Sequence, residues 1–103
     1  MQIPIQFMPR AIDLAAIGCN EFGLARADAL ALLETLQAAH GVVLGGDVIK
    51  ESDGKWQHNY DNWFFNPDLA QAQEVNSIGS VSKAREYIQN YPQGPYAFVL
   101  VLA

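Results

Sequence analysis

One cysteine and two histidines in 103 residues leave little room for sulfur or metal chemistry. With Cys19 alone, no internal disulfide and no cysteine-based metal site can exist; the residue reads as a small, buried or half-buried hydrophobe. His40 and His58 show no HxH or HExxH spacing, so neither a metal nor a cofactor is expected. Long apolar runs are missing too. The longest, residues 96–103, falls far short of the about 20 residues that a membrane-spanning helix needs. No basic stretch leads into an apolar segment near the start, so no export signal is expected, and a reduced cytoplasm is the expected location. Phosphate loops are absent: Gly45-Gly46-Asp47 is neither GxGxxG nor a Walker sequence. Basic charge is scarce, with 6 Lys and Arg against 11 acids and a net charge of −5. Six of those acids fall in residues 42–74, against only Lys50 and Lys55. That balance disfavours nucleic acid and anionic membrane and favours a basic protein partner; a charged face that keeps the chain soluble explains it equally well. Composition is otherwise that of a globular protein, and one domain spanning residues 1–103 is expected.

What the chain does have is concentrated in residues 45–65. Both tryptophans, His58 and four acids lie there, around an Asp53-Gly54 pair. That pair suits a two-residue turn in which both central residues take positive φ. The pairing then follows: Ser52 opposite Lys55, Glu51 opposite Trp56, Ile49 opposite His58 and Asp47 opposite Tyr60. One face carries Asp47, Ile49, Glu51, Trp56, His58 and Tyr60; the other carries Val48, Lys50, Gln57, Asn59 and Asp61. Gly45-Gly46 interrupts the first strand, as at a bulge or where another backbone comes close.

Elsewhere the periodicity is plainer. Residues 2–7 alternate, Ile3, Ile5 and Phe7 against Gln2, Pro4 and Gln6, as an edge strand or extended arm, and a short helix over 10–17 ends at Gly18. A long helix over 25–40 carries Ala25, Ala29, Leu32, Leu36 and Ala39 on one stripe, with Asp28 in its first turn and Gly41 as its stop. Residues 66–79 read as a loop with a helical turn. Ser80 caps a helix over 81–91, whose stripe is Val81, Ala84, Ile88 and Tyr91. Residues 97–102 are apolar on both faces, as a central strand requires. The fold class is α+β: a small, mainly antiparallel sheet, built from the central hairpin and the C-terminal strand, with two or three helices packed on one face.

Chemistry finds weak support. Asp47, His58 and Tyr60 around a pocket would make a small enzyme or ligand-binding domain, but no nucleophile can be placed beside His58. Binding fits better. Trp56 and Tyr60 are residue types that dominate protein interfaces, and Asp47, Glu51, Asp53 and Asp61 would steer a basic partner. Gly45, Gly46, Asn62 and Trp63 read as holding the hairpin's shape, with Trp63 in the core. Self-association, as an adaptor or assembling subunit, stays open.

Several short stretches resemble a known family. Gly45-Gly46-Asp47-Val48, Tyr60-Asp61-Asn62-Trp63, Ser80…Lys83-Ala84-Arg85-Glu86-Tyr87-Ile88, Phe98-Val99-Leu100-Val101 and Phe22-Gly23-Leu24…Asp28-Ala29-Leu30 are similar, in order and spacing, to immunity protein family forty. These are small α+β proteins of bacterial polymorphic toxin systems. The resemblance covers most of residues 20–102. It implies a non-catalytic protein that binds a cognate toxin and keeps the producer alive. Ala25 departs from it, standing where the family tends to place a Ser or Thr cap worth about 1 kcal/mol. Residues 66–79 match poorly, so no loop-borne contact carries over.

Overall fold

The structure, a computed structural model, describes residues 3–103. Its strands and helices are β1 (Ile12–Asp13), β2 (Phe22–Ala25), α1 (Arg26–Ala38), β3 (Val43–Ser52), β4 (Lys55–Phe64), α2 (Gln73–Asn90) and β5 (Tyr96–Leu102), with 3-10 turns at Ile5–Arg10 and Ala15–Ile17. The strands form one antiparallel sheet in the order β1-β2-β5-β3-β4. The fold is α+β.

The apolar run at the C-terminus is the middle strand, and both of its faces are covered. Phe98 and Leu100 enter the main core with Leu24, Val48 and Trp63 from the sheet and Leu32, Leu33, Leu36 and Ile88 from the two helices. Ala97 and Val99 point the other way. With Ile49 they form a smaller core that Leu14 closes, with Ile12, Ile17 and Trp56 at its margin. A half-exposed strand would alternate with polar residues; this one has no solvent face to serve.

The N-terminal expectations are corrected. Residues 5–10 form a 3-10 turn in which the Phe7 N–H reaches Pro4 O at 3.0 Å and the Phe7 ring is buried, instead of an extended arm. Gln2, the first residue of the alternation, lies outside the described residues. Residues 10–17 are not a helix: Ile12–Asp13 pairs with β2, and a 3-10 turn at Ala15–Ile17 ends at Gly18 with φ of 76°. An isolated two-turn helix is unstable on its own, and the ladder plus the burial of Leu14 wins. Residues 22–25 form β2, which pairs with β5 through Gly23↔Val99, Leu24↔Phe98 and Ala25↔Ala97.

The α1 stripe falls where its spacing predicts, with Ala29, Leu32 and Leu36 buried, joined by Leu33. Ala25 is its N-cap and offers no side-chain hydrogen bond. The left-handed stop is His40, at φ of 56°, one residue before Gly41. His40 N–H bonds Gln37 O at 3.1 Å and Gly41 N–H bonds Leu36 O at 2.7 Å, the two bonds of a Schellman ending. The second helix begins at Gln73, well before the expected start, and Ser80 is an interior residue. Its inward stripe starts with polar groups, Asn76, Ser77 and Ser80, all buried. Asn76 exchanges two 2.9 Å bonds with the Asp68 backbone, which ties down the preceding loop. Ser80 Oγ accepts the Val43 N–H at 2.9 Å, joining α2 to the start of β3.

Candidate functional site

The Asp53-Gly54 turn has the expected left-handed pair, with φ of 54° and 75°. The register from Ser52↔Lys55 to Ile49↔His58 is as read from the turn. Beyond that it shifts. Asp47 stands opposite Asn62 and not Tyr60, because Asn59, Tyr60 and Asp61 together span the space opposite Val48. Two extra residues leave the alternation intact, whereas one would have swapped the faces. Asp47, Ile49, Glu51, Trp56 and His58 therefore share the face away from the helices. Asn59 and Asp61 lie on the helix side.

Two hydrogen bonds lock this bulge. Tyr91, at the end of α2, donates its phenol O–H to Asp61 Oδ2 at 2.5 Å and accepts from Asn59 Nδ2 at 2.6 Å. Tyr91 is itself fixed. Its ring meets Tyr96 and Phe98 edge-on, and the Arg26 guanidinium donates to the carbonyls of Ile88, Tyr91 and Pro92 at 2.5–2.9 Å. Tethered on both sides, Tyr60 sits at φ of 61°, its side chain 86% exposed and its ring 6.1 Å from that of His58. For a bulky side chain that backbone is strained.

Other expected site residues separate. Glu51 faces Trp56 across the ladder, but Trp56 is half-buried against the margin of the small core. Asp53 is exposed at the turn tip and Asp47 is exposed near the far end of the hairpin. Carboxylates and rings are thus split between the helix-free face, the turn tip and the bulged edge of β4. His58 turns Nε2 to the Ile17 carbonyl at 3.1 Å, and since a carbonyl only accepts, that nitrogen carries the proton. Among the described residues no hydrogen bond joins His58 to Asp47, and no group of three His, Cys, Asp or Glu side chains is placed to hold a metal.

The scaffold residues meet closely. Trp63 is buried, stacks on Tyr87 at 4.6 Å and lies over Gly46, while the backbone opposite Gly45 leaves no space for a side chain. Phe64 is exposed, with the Lys83 ammonium above its ring and bonded to its carbonyl. A groove of ≈ 520 Å³ follows the C-terminal half of α2, lined by Lys83, Glu86, Tyr87, Asn90, Tyr91 and Pro92. Sequence reasoning does not single out Tyr87 and Tyr91 as site residues, because Tyr91 falls on the apolar stripe of the helix; the available signal is a tyrosine pair one turn apart at a helix end, next to Glu86.

Burial, then the hydrogen bond to Asp61, pushes the Tyr91 phenol up to about 12, and burial with the same carboxylate raises Tyr87. A raised folded-state value means that the folded chain holds the proton more tightly, so this stabilisation is complete below about pH 10 and is lost as pH rises towards about 12. Stability measured by urea titration at stepped pH is expected to fall across that window, and Tyr91→Phe is expected to flatten the fall.

A comparison with protein families matches residues 13–102 to Immunity protein 40. The chain belongs to the Immunity protein 40 family. Neither the curated proteins nor the solved structures gave a match. In this Immunity protein 40 chain the matched span takes in all five strands except the first residue of β1, both helices and the bulged hairpin. Among the described residues no helix is long and apolar enough to cross a membrane.

Proposed function

We propose that this Immunity protein 40 chain is made beside a toxin of a bacterial polymorphic toxin system and neutralises it in the producer's cytoplasm. It binds the toxin and occludes its active or substrate-binding face, and carries out no chemistry itself. Family membership supports the role. The observation that carries the choice of surface is Tyr60, a large ring held in a strained backbone conformation and exposed to solvent. Such a conformation costs about 1–2 kcal/mol, and an exposed ring returns none of it to the fold. Aromatic anchors on rigid supports are what protein interfaces use as binding hot spots. Asp61 beside it, with Asp47, Glu51 and Asp53 along the hairpin, supplies negative charge that speeds encounter with a basic toxin face, and Trp56 adds its exposed edge.

The test is co-expression with the toxic C-terminal domain encoded by the adjacent gene. Growth is restored and the two proteins purify together; a toxin that neither binds nor is silenced rejects the role. Tyr60→Asn then isolates the surface, because Asn tolerates positive φ and lacks the ring. Stability is expected to hold or rise, while the complex dissociates roughly 30-fold faster, the effect of losing a hot spot. A complex of undiminished affinity would place the toxin elsewhere on the protein.

A further inference from the structure

Beside the bulge, the groove along α2 has one carboxylate on its lining and a second at its Tyr91 end, against one ammonium. Glu86 lines it and makes no ion pair among the described residues, where Arg10–Asp28 is the only one. Asp61 is held at the Tyr91 hydroxyl, where it accepts hydrogen bonds from a phenol and an amide and, among the described residues, makes no ion pair. The one lysine on the groove keeps its charge but is drawn towards Phe64: Lys83 Nζ bonds the Phe64 carbonyl and lies 5.2 Å from the centre of that ring. Arg85 points away, towards Gln37 of α1, at 3.4 Å. The lining is also aromatic, with the Tyr87 and Tyr91 rings 5.9 Å apart and tilted by 35°.

We infer that this groove is the socket for an arginine side chain of the protein partner. A guanidinium is flat, weakly hydrated and permanently charged, so it can lie on a tyrosine face while its N–H groups reach carboxylates at its rim. An ammonium would satisfy the charge but not the stacking. The volume, ≈ 520 Å³, also admits the short stretch of main chain that carries such a side chain. Asn90 adds an amide able to bond that main chain. Both phenols stay protonated at neutral pH, so the charges at the groove are the Glu86 carboxylate and the Lys83 ammonium on its lining and the Asp61 carboxylate at the Tyr91 hydroxyl, a net negative balance. The socket adjoins Tyr60 through the Asn59 and Asp61 tethers, which makes a single contact region of the bulged edge and the end of α2. This rests on the immunity reading above for the identity of the partner, but not for the chemistry of the socket.

The probe is the peptide acetyl-Ala-Arg-Ala-amide, titrated into isotope-labelled protein and followed by NMR. Saturable shifts are expected for Glu86, Tyr87, Asn90, Tyr91 and Asp61. They are expected to vanish when citrulline replaces arginine, and to need roughly fivefold more peptide when lysine does or when Glu86 is changed to Gln. No saturation up to tens of millimolar, or equal shifts with citrulline, overturns the socket. In the complex with the neighbouring toxin, Glu86→Arg is expected to accelerate dissociation at least tenfold. An intact, unaffected complex refutes the socket and leaves the immunity role standing; arginine binding without any toxin complex refutes the role and leaves the socket standing.

Discussion

Gly46→Ala is expected to lower the unfolding free energy by about 3 kcal/mol or more, the upper end for overfilling a packed site. A Cβ at Gly46 would lie 2.2 Å from Trp63 Cη2 and 2.4 Å from Val99 O. The indole cannot swing aside, because it is buried and stacked on Tyr87. The carbonyl cannot move without disturbing the ladder that joins β3 to β5. Domains of this size are stable by about 5–15 kcal/mol, so the loss removes a large share of the total. Urea unfolding followed by tryptophan fluorescence is expected to show an earlier midpoint at an unchanged slope. Gly54→Ala is the comparison. Nothing lies within 4 Å of a Cβ there, so the change carries only the strain of φ at 75°, about 1 kcal/mol. Equal losses at the two positions would contradict the close approach.

That same glycine pair shows what could be read in advance. Two glycines inside a strand announce a bulge or the close approach of another backbone, and both occur: the β3–β5 register slips between Val43 and Gly45, and a Cβ at Gly45 would lie 2.3 Å from the Trp63 carbonyl oxygen. The Asp53-Gly54 turn was legible because positive φ selects so few residue types, and with it came the first four ladder pairs. The bulge at Tyr60 was not legible. Its cause is a phenol thirty residues away that gathers Asn59 and Asp61, and no local pattern in residues 58–62 encodes that partner.

The missed elements share another cause. β1 and β2 have two and four residues, too few to show an alternation; β2 exists because β5 offers it an edge, and β1 because β2 offers it the next. The first turns of α2 hide their inward face behind Asn76, Ser77 and Ser80, since that face meets backbone at Asp68 and Val43 instead of apolar side chains. Leu14 and Ile17 come from irregular chain, so the small core that they close, beneath the hairpin face bearing Asp47 and Glu51, had only one sign in the sequence. That sign was the apolar run of β5 on both faces. The consequence for the site is direct. Trp56 is partly spent on this core, and the bulged edge carries the exposed ring.

Phe98→Ala tests whether that edge and the core are one mechanical unit. Phe98 is fully buried and pairs with Leu24 on one side and Val48 on the other. Truncation is expected to cost about 3–5 kcal/mol, from lost burial and from a cavity that a strand held on both sides cannot close. Phe98→Leu, which keeps most of the volume, is expected to cost less than about 1.5 kcal/mol. The ring also supports the site: Tyr91 meets it edge-on at 5.7 Å, and the Arg26 guanidinium lies 5.5 Å from its centre. Its removal frees Tyr91 to shift, and Tyr91 holds Asn59 and Asp61. Hydrogen exchange on the still-folded variant is therefore expected to quicken at residues 59–61 as well as in β5, while the Asp53-Gly54 turn is unchanged. Faster exchange confined to β5 would separate the core from the bulge. Tyr60 would then owe its conformation to the hairpin alone.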